Sequence, residues 1–117
     1  MVLALLVAVA GCGGDKSASP PAGCTAVTGP AYTLVARNIS WNTDCLKVKA
    51  GTTVRFTVKL EDEGVKHDLQ IFGQGQKEET ALQSGPVTQT LSFPFTKGFY
   101  QYVCTIHANM EGTIYAQ

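Results

Sequence analysis

The sequence predicts an all-β domain, an antiparallel β-sandwich, and three observations carry that prediction. "TTVRFTVKL" (residues 52–60) alternates apolar and polar side chains with a period of two. Short runs of similar character recur through residues 24–117, parted by turn chemistry rich in Gly, Asp and Pro. A helical pattern is confined to one possible turn at "KEETALQ". At 117 residues and 44% hydrophobic content, the chain holds at most one modest domain.

Each element follows in order. "AYTLVARNI" puts Tyr32, Leu34 and Ala36 on one face. In residues 52–60, Val54, Phe56, Val58 and Leu60 face inward while Thr53, Arg55, Thr57 and Lys59 face outward. "KAG" before this run and "EDEG" after it are turns. "HDLQIF" makes a short strand with Leu69 and Ile71 on one face, and His67 shares their parity. The polar, Gly-rich stretch 73–86 reads as mostly loop. "VTQTLSFPF" and "YQYV" are strands joined by "TKG", and "GTIYAQ" is the final strand. Val54, Phe56, Val58, Leu69, Ile71, Leu91 and Phe93 are the expected core, with Trp41 and the Tyr and Phe residues as packing. Glu61, Asp62, Glu63, Glu78 and Glu79 read as solvated faces.

Nine Lys and Arg against nine Asp and Glu leave no net field to recruit nucleic acid or an anionic membrane surface. The N-terminal segment points elsewhere. "MVLALLVAVAG" (residues 1–11) has the length of a signal peptide and is too short to span a bilayer. "VAGC" (residues 9–12) resembles a bacterial lipobox, which implies a lipid on Cys12 as the mature N-terminus. "GGDKSASPPAG" is too polar and Gly/Pro-rich to bury a core, so residues 12–23 read as a flexible tether. The expectation is an exported envelope protein, periplasmic and membrane-anchored, with residues 24–117 as its domain.

Outside the cytoplasm thiols are normally paired. With Cys12 lipidated, Cys24, Cys45 and Cys104 remain, and one must be left over. Joining Cys24 to Cys45 would tie down the chain's entry into the domain. The alternatives are two free thiols, or a pairing of one of them with Cys104.

"YVCTIHANMEG" (residues 102–112) then sets Cys104, His107 and Met110 at a spacing of three between strand-like flanks. An extended strand would point Cys104 and His107 to opposite faces, and flanking strands leave no room for a helix. A loop folded around a common point fits. A thiolate, an imidazole and a thioether are soft donors, and one further nitrogen completes a trigonal His₂Cys set with a weak axial Met. The other histidine in the sequence is His67.

"YQYVCTIHANMEGTIYA" resembles the C-terminal copper loop of cupredoxins, and its C-x-x-H-x-x-M spacing is most similar to the short loop of amicyanin. "NTDCLKVKAGTTVRFTV…KHDLQIF" is similar to the family's earlier strands, so the resemblance covers residues 30–117. It implies a Greek-key β-sandwich with one type 1 copper bound by His67, Cys104, His107 and Met110. Many relatives carry Asn after the first histidine. Here Asp68 takes that place, where its carboxylate would accept a hydrogen bond from Thr105 and lower the reduction potential.

The expected function is a single-electron carrier, monomeric and serving redox partner proteins, with an envelope copper-delivery lipoprotein as the alternative. An enzyme needs a second metal or an open coordination position, and two histidines cannot build one. A binuclear copper centre needs two loop cysteines, where this loop has Cys104 alone. A metal-free adhesion sandwich would leave the donor constellation without a purpose.

Overall fold

A computed structural model describes residues 20–117. The expected leader, Cys12 and most of the tether lie outside the described residues. Eleven strands follow in order: β1 (Thr25–Ala26), β2 (Ala31–Ala36), β3 (Cys45–Val48), β4 (Thr52–Leu60), β5 (Lys66–His67), β6 (Gln70–Gly73), β7 (Gln76–Glu79), β8 (Gln83–Ser84), β9 (Val87–Phe95), β10 (Gly98–Cys104) and β11 (His107–Ala116). They form a six-stranded sheet in the order β1-β3-β11-β10-β6-β7, a three-stranded sheet β2-β4-β9, and the small pair β5-β8.

The two larger sheets share one core. Leu34, Val54, Phe56, Val58 and Phe93 from the smaller sheet pack with Leu46, Ile71, Tyr100 and Ile114 from the larger. Tyr100 is the clearest bridge, meeting Phe93 and Phe95 edge-on with ring centroids 5.6 and 5.0 Å away. The alternation of β4 is realised in full, with Val54, Phe56, Val58 and Leu60 all buried. Leu91 is only partly buried and packs against the edge of the core. It sits on β9, which pairs with β4 alone and carries Pro94 without losing a needed partner.

Three pairings are parallel: β1 with β3, β3 with β11, and β2 with β4. The first four strands alternate between the two sheets. Each crossing reverses the chain, so the next strand to arrive in a given sheet runs the same way as the last. Residues 73–86 are also more regular than their composition suggests. β6 turns into β7 through Gln74 and Gly75, with φ of 49° and 76°, and β8 then pairs with β5. No helical turn forms at "KEETALQ" because Gln76–Glu79 finds a sheet edge to extend.

Cys24 and Cys45 form a disulfide. It fastens the two-residue strand β1 to the start of β3, an edge too short to hold by two backbone pairs. A closed loop with a sequence separation of 21 is stabilised by roughly 3 kcal/mol in the chain-entropy account. Replacing both cysteines by Ala should lower the melting temperature by on the order of 10 °C or more, read by calorimetry, with the fold retained.

Tyr102, on β10, anchors the other side. Its hydroxyl donates to the Thr43 carbonyl, and its ring fills the space where a Cβ on its partner Gly112 would lie. Only glycine fits there. Burial, then the charge of Asp44 and the neighbouring Tyr32, push the phenol well above its ordinary value of 10.0. A raised folded value means this contribution is whole below pH 10 and is lost as the pH climbs toward the folded value. Alkaline unfolding should therefore steepen above about pH 10, and Tyr102→Phe should flatten that limb in a denaturant titration run at several pH values.

Candidate metal centre

The site is made where β10 meets β11. Val103 pairs with Glu111, yet the next residue, Cys104, pairs with His107. The hairpin turns through Thr105 and Ile106, and Ala108, Asn109 and Met110 bulge out with no counterpart on β10. That slip is the local structure behind the spacing of three. Cys104 ends one strand, His107 opens the next, and Met110 lies fully buried at the end of the bulge.

His67 reaches the same place from β5. Its ring is fully buried, with Nδ1 3.8 Å from the Cys104 sulfur. The His67 and His107 rings lie 4.8 Å apart between centroids. One ligand atom each from His67, Cys104 and His107 falls within 4.8 Å of the others. Cys104 is a free, buried thiol.

Hydrogen bonds fix which ring nitrogen faces inward. His67 Nε2 lies 2.8 Å from the Asp62 carboxylate, and His107 Nε2 lies 3.0 Å from the Lys66 carbonyl. An ionised carboxylate and a carbonyl only accept, so both Nε2 atoms carry hydrogen, and in the neutral imidazole each Nδ1 keeps a lone pair. Burial works to raise the Asp62 pKa, but the Ile39 amide, the His67 side chain and the Asn38 amide outweigh it. The carboxyl stays below its ordinary value of 3.8 and ionised.

The donor set fits a thiolate-preferring metal. Bond lengths near 2.0–2.1 Å to nitrogen and 2.3 Å to sulfur place two ligands of a trigonal ion about 3.8 Å apart, the separation of His67 Nδ1 and Cys104 Sγ. Histidine ligands typically donate their second N–H to a carboxylate or a carbonyl, as both rings do here.

Among the described residues, His67 and Asp68 are the buried polar or charged side chains, and both belong to this site. Asp68 accepts the Thr105 N–H at 2.7 Å and the Thr105 hydroxyl at 2.6 Å, which braces the turn after Cys104. The expected Asp68–Thr105 contact is present, and Asp68 does not face solvent. Asp62 differs from expectation. Instead of lying on a solvated face it is 12% exposed and bonded to His67. Its place five residues before the histidine was the available signal, but only the turn after β4 brings it to the ring. Glu61 is exposed and paired with Arg37, and Glu63, Glu78 and Glu79 are exposed as expected.

With the geometry in place, comparison with known proteins gives a consistent result. The chain resembles auracyanin from Roseiflexus castenholzii with a TM-score of 0.68 at 15% identity, covering 78% of this chain and 99% of that one. It resembles auracyanin A of Chloroflexus aurantiacus, described as a "blue" copper protein, with a TM-score of 0.65 at 18% identity over 79% and 99%. The fold is that of a cupredoxin. A copper-containing nitrite reductase from Thermus scotoductus aligns at 27% identity and a TM-score of 0.58, over 85% of this chain but 25% of that enzyme. No family model matches the chain, and no curated protein matches its sequence.

Replacing Thr105 by Val should remove one charge-assisted hydrogen bond while keeping the shape. The metal-free protein should lose about 1.5–3 kcal/mol by denaturant titration. A loss below a few tenths would mean that Asp68 finds another donor.

Proposed function

We propose that this chain is a single-electron carrier built on one type 1 copper, with His67, Cys104 and His107 as strong ligands and Met110 as the weak axial one. The observation that carries the reading is His67 Nδ1 lying 3.8 Å from a buried thiol with His107 in the same 4.8 Å cluster, each ring being held by a hydrogen bond at Nε2. Copper in such a donor set supplies a one-electron couple between the cuprous and cupric states. The protein's part is to hold both rings and the sulfur in nearly one arrangement for both states, so that little reorganises when an electron passes.

The residues support a carrier over an enzyme. Both histidines of the sequence lie in the cluster, and no further imidazole is available for a second metal. Met110, buried at the end of the same bulge, would complete the donor set and leave no place for substrate. His107 is the half-buried ring and neighbours Ile106, which is 51% exposed. His67 is sealed. Electrons therefore enter and leave through the His107 edge, exchanged with partner redox proteins by a monomeric carrier. The Cys24–Cys45 bridge favours an oxidising compartment, in keeping with export to the envelope and a lipid anchor on Cys12.

Copper-loaded, oxidised protein should show intense thiolate-to-cupric absorption at one copper per chain and a reversible voltammetric couple. Cys104→Ser should abolish the colour and leave the fold. Met110→Leu should keep the colour and raise the potential, because axial donation favours the cupric state. The carrier reading fails if no reversible couple appears. Ready transfer of copper to a competing apo-protein on reduction would put copper delivery in its place.

A further inference from the structure

The turn between β2 and Trp41 is built in an uncommon conformation. Asn38 and Ile39 both have positive φ, 54° and 52°. Asparagine tolerates that region, but a β-branched residue there is a true outlier. Such conformations persist only where the surroundings enforce them. Here the enforcement comes from Asp62. One carboxylate oxygen accepts the Asn38 N–H at 2.6 Å, and the other accepts the Ile39 N–H at 2.9 Å. The oxygen on Ile39 is the same one that lies 2.8 Å from His67 Nε2.

The turn is held from its other side too. Asn109, inside the bulge between His107 and Met110, donates its side-chain N–H to the Ile39 carbonyl at 2.6 Å. One strained turn thus joins the His67 side of the centre to its C-terminal loop. His67 itself is fully buried, so water does not compete for Nε2, and Asp62 decides the tautomer.

We infer that Asp62, seated on the Asn38–Ile39 turn, is a positioning residue for His67: it holds the ring as the Nε2–H tautomer with Nδ1 toward Cys104, and by making the imidazole a stronger donor it keeps the reduction potential low. The positioning half concerns the metal-free protein. The potential half rests on the copper reading. Carboxylates behind a metal-bound histidine raise its basicity, and losing them typically weakens metal binding 10- to 100-fold. A stronger nitrogen donor favours the cupric state over the cuprous one.

The test uses the full chain with three changes. Asp62→Asn removes the charge and leaves one oxygen acceptor. Asp62→Ala removes both. Asp62→Ala combined with Asn38→Gly and Ile39→Gly relieves the turn, so that a folded protein lacking the carboxylate is obtained. Long-range proton–nitrogen NMR on the labelled apoprotein should find His67 as a single Nε2–H tautomer in the parent and a mixture in the Ala variants. Voltammetry of the copper-loaded proteins should place every variant above the parent. A Cu(II) affinity about tenfold weaker at unchanged Cu(I) affinity corresponds to a rise of about 59 mV. Asp68→Asn is the comparison: it removes a nearby charge and should leave the His67 tautomer alone. An unchanged tautomer in the relieved variant overturns the positioning half. An unchanged potential in all three overturns the tuning half. A parent protein that takes up no copper overturns the carrier reading and the tuning half with it, while the tautomer measurement still decides the other.

Discussion

Between Val103 and Cys104, strand β10 advances one residue while β11 advances four. Without that slip the ladder would go on to pair Cys104 with Met110 and leave His107 at the tip of the hairpin. With it, the sulfur, the ring and the buried Met110 are gathered at one end of the sandwich, and the strands beyond stay in register from Val103–Glu111 through Gly98–Ala116. The rigid ladder sets where the bulge starts. Tyr102, packed over Gly112 one pair below the slip, keeps that starting point from drifting.

Bringing polar groups to a dry end of the core is costly unless each is paired. His67 and Asp68 are both buried, and each has its partners: Asp62 for the ring, and the Thr105 amide and hydroxyl for the carboxylate. The two carboxylates play different parts. Asp68 shapes the turn that follows the thiol, whereas Asp62 reaches the His67 ring directly. Both bring a carboxylate to the end of the sandwich where His67, Cys104 and His107 converge.

Much of this was legible in the residues alone. The period of two in β4 is a local signal, and burial follows it side chain by side chain. The convergence of Cys104 and His107 was legible because their spacing between strands calls for a loop folded around a common point. What was hidden depends on distant partners. Gln76–Glu79 is polar on both faces and becomes a strand only because β6 offers an edge. The parallel pairings join segments separated by a visit to the opposite sheet, so no turn signal marks them. Asp62 stands in an acidic turn like any solvated one, and its role appears only when Asn38, Ile39 and His67 close around it. Leu91 alternates correctly, but an edge strand leaves it at the rim.

The place of β11 in the larger sheet bears on the order in which the molecule is made. It is the last strand in chain order, yet it lies between β3 and β10 and pairs with both. Cys45 meets Thr113 only when the chain between them has been laid down, a long-range closure of the kind that slows folding. Until β11 arrives, β1 and β3 have no connection to β10, β6 and β7, and an emerging chain carries two half-sheets with open edges. The same late strand brings His107 and Met110. A chain cut short before it would present His67 and a lone thiol without their enclosure, so assembly of the sheet and the gathering of the His67, Cys104 and His107 cluster are a single event.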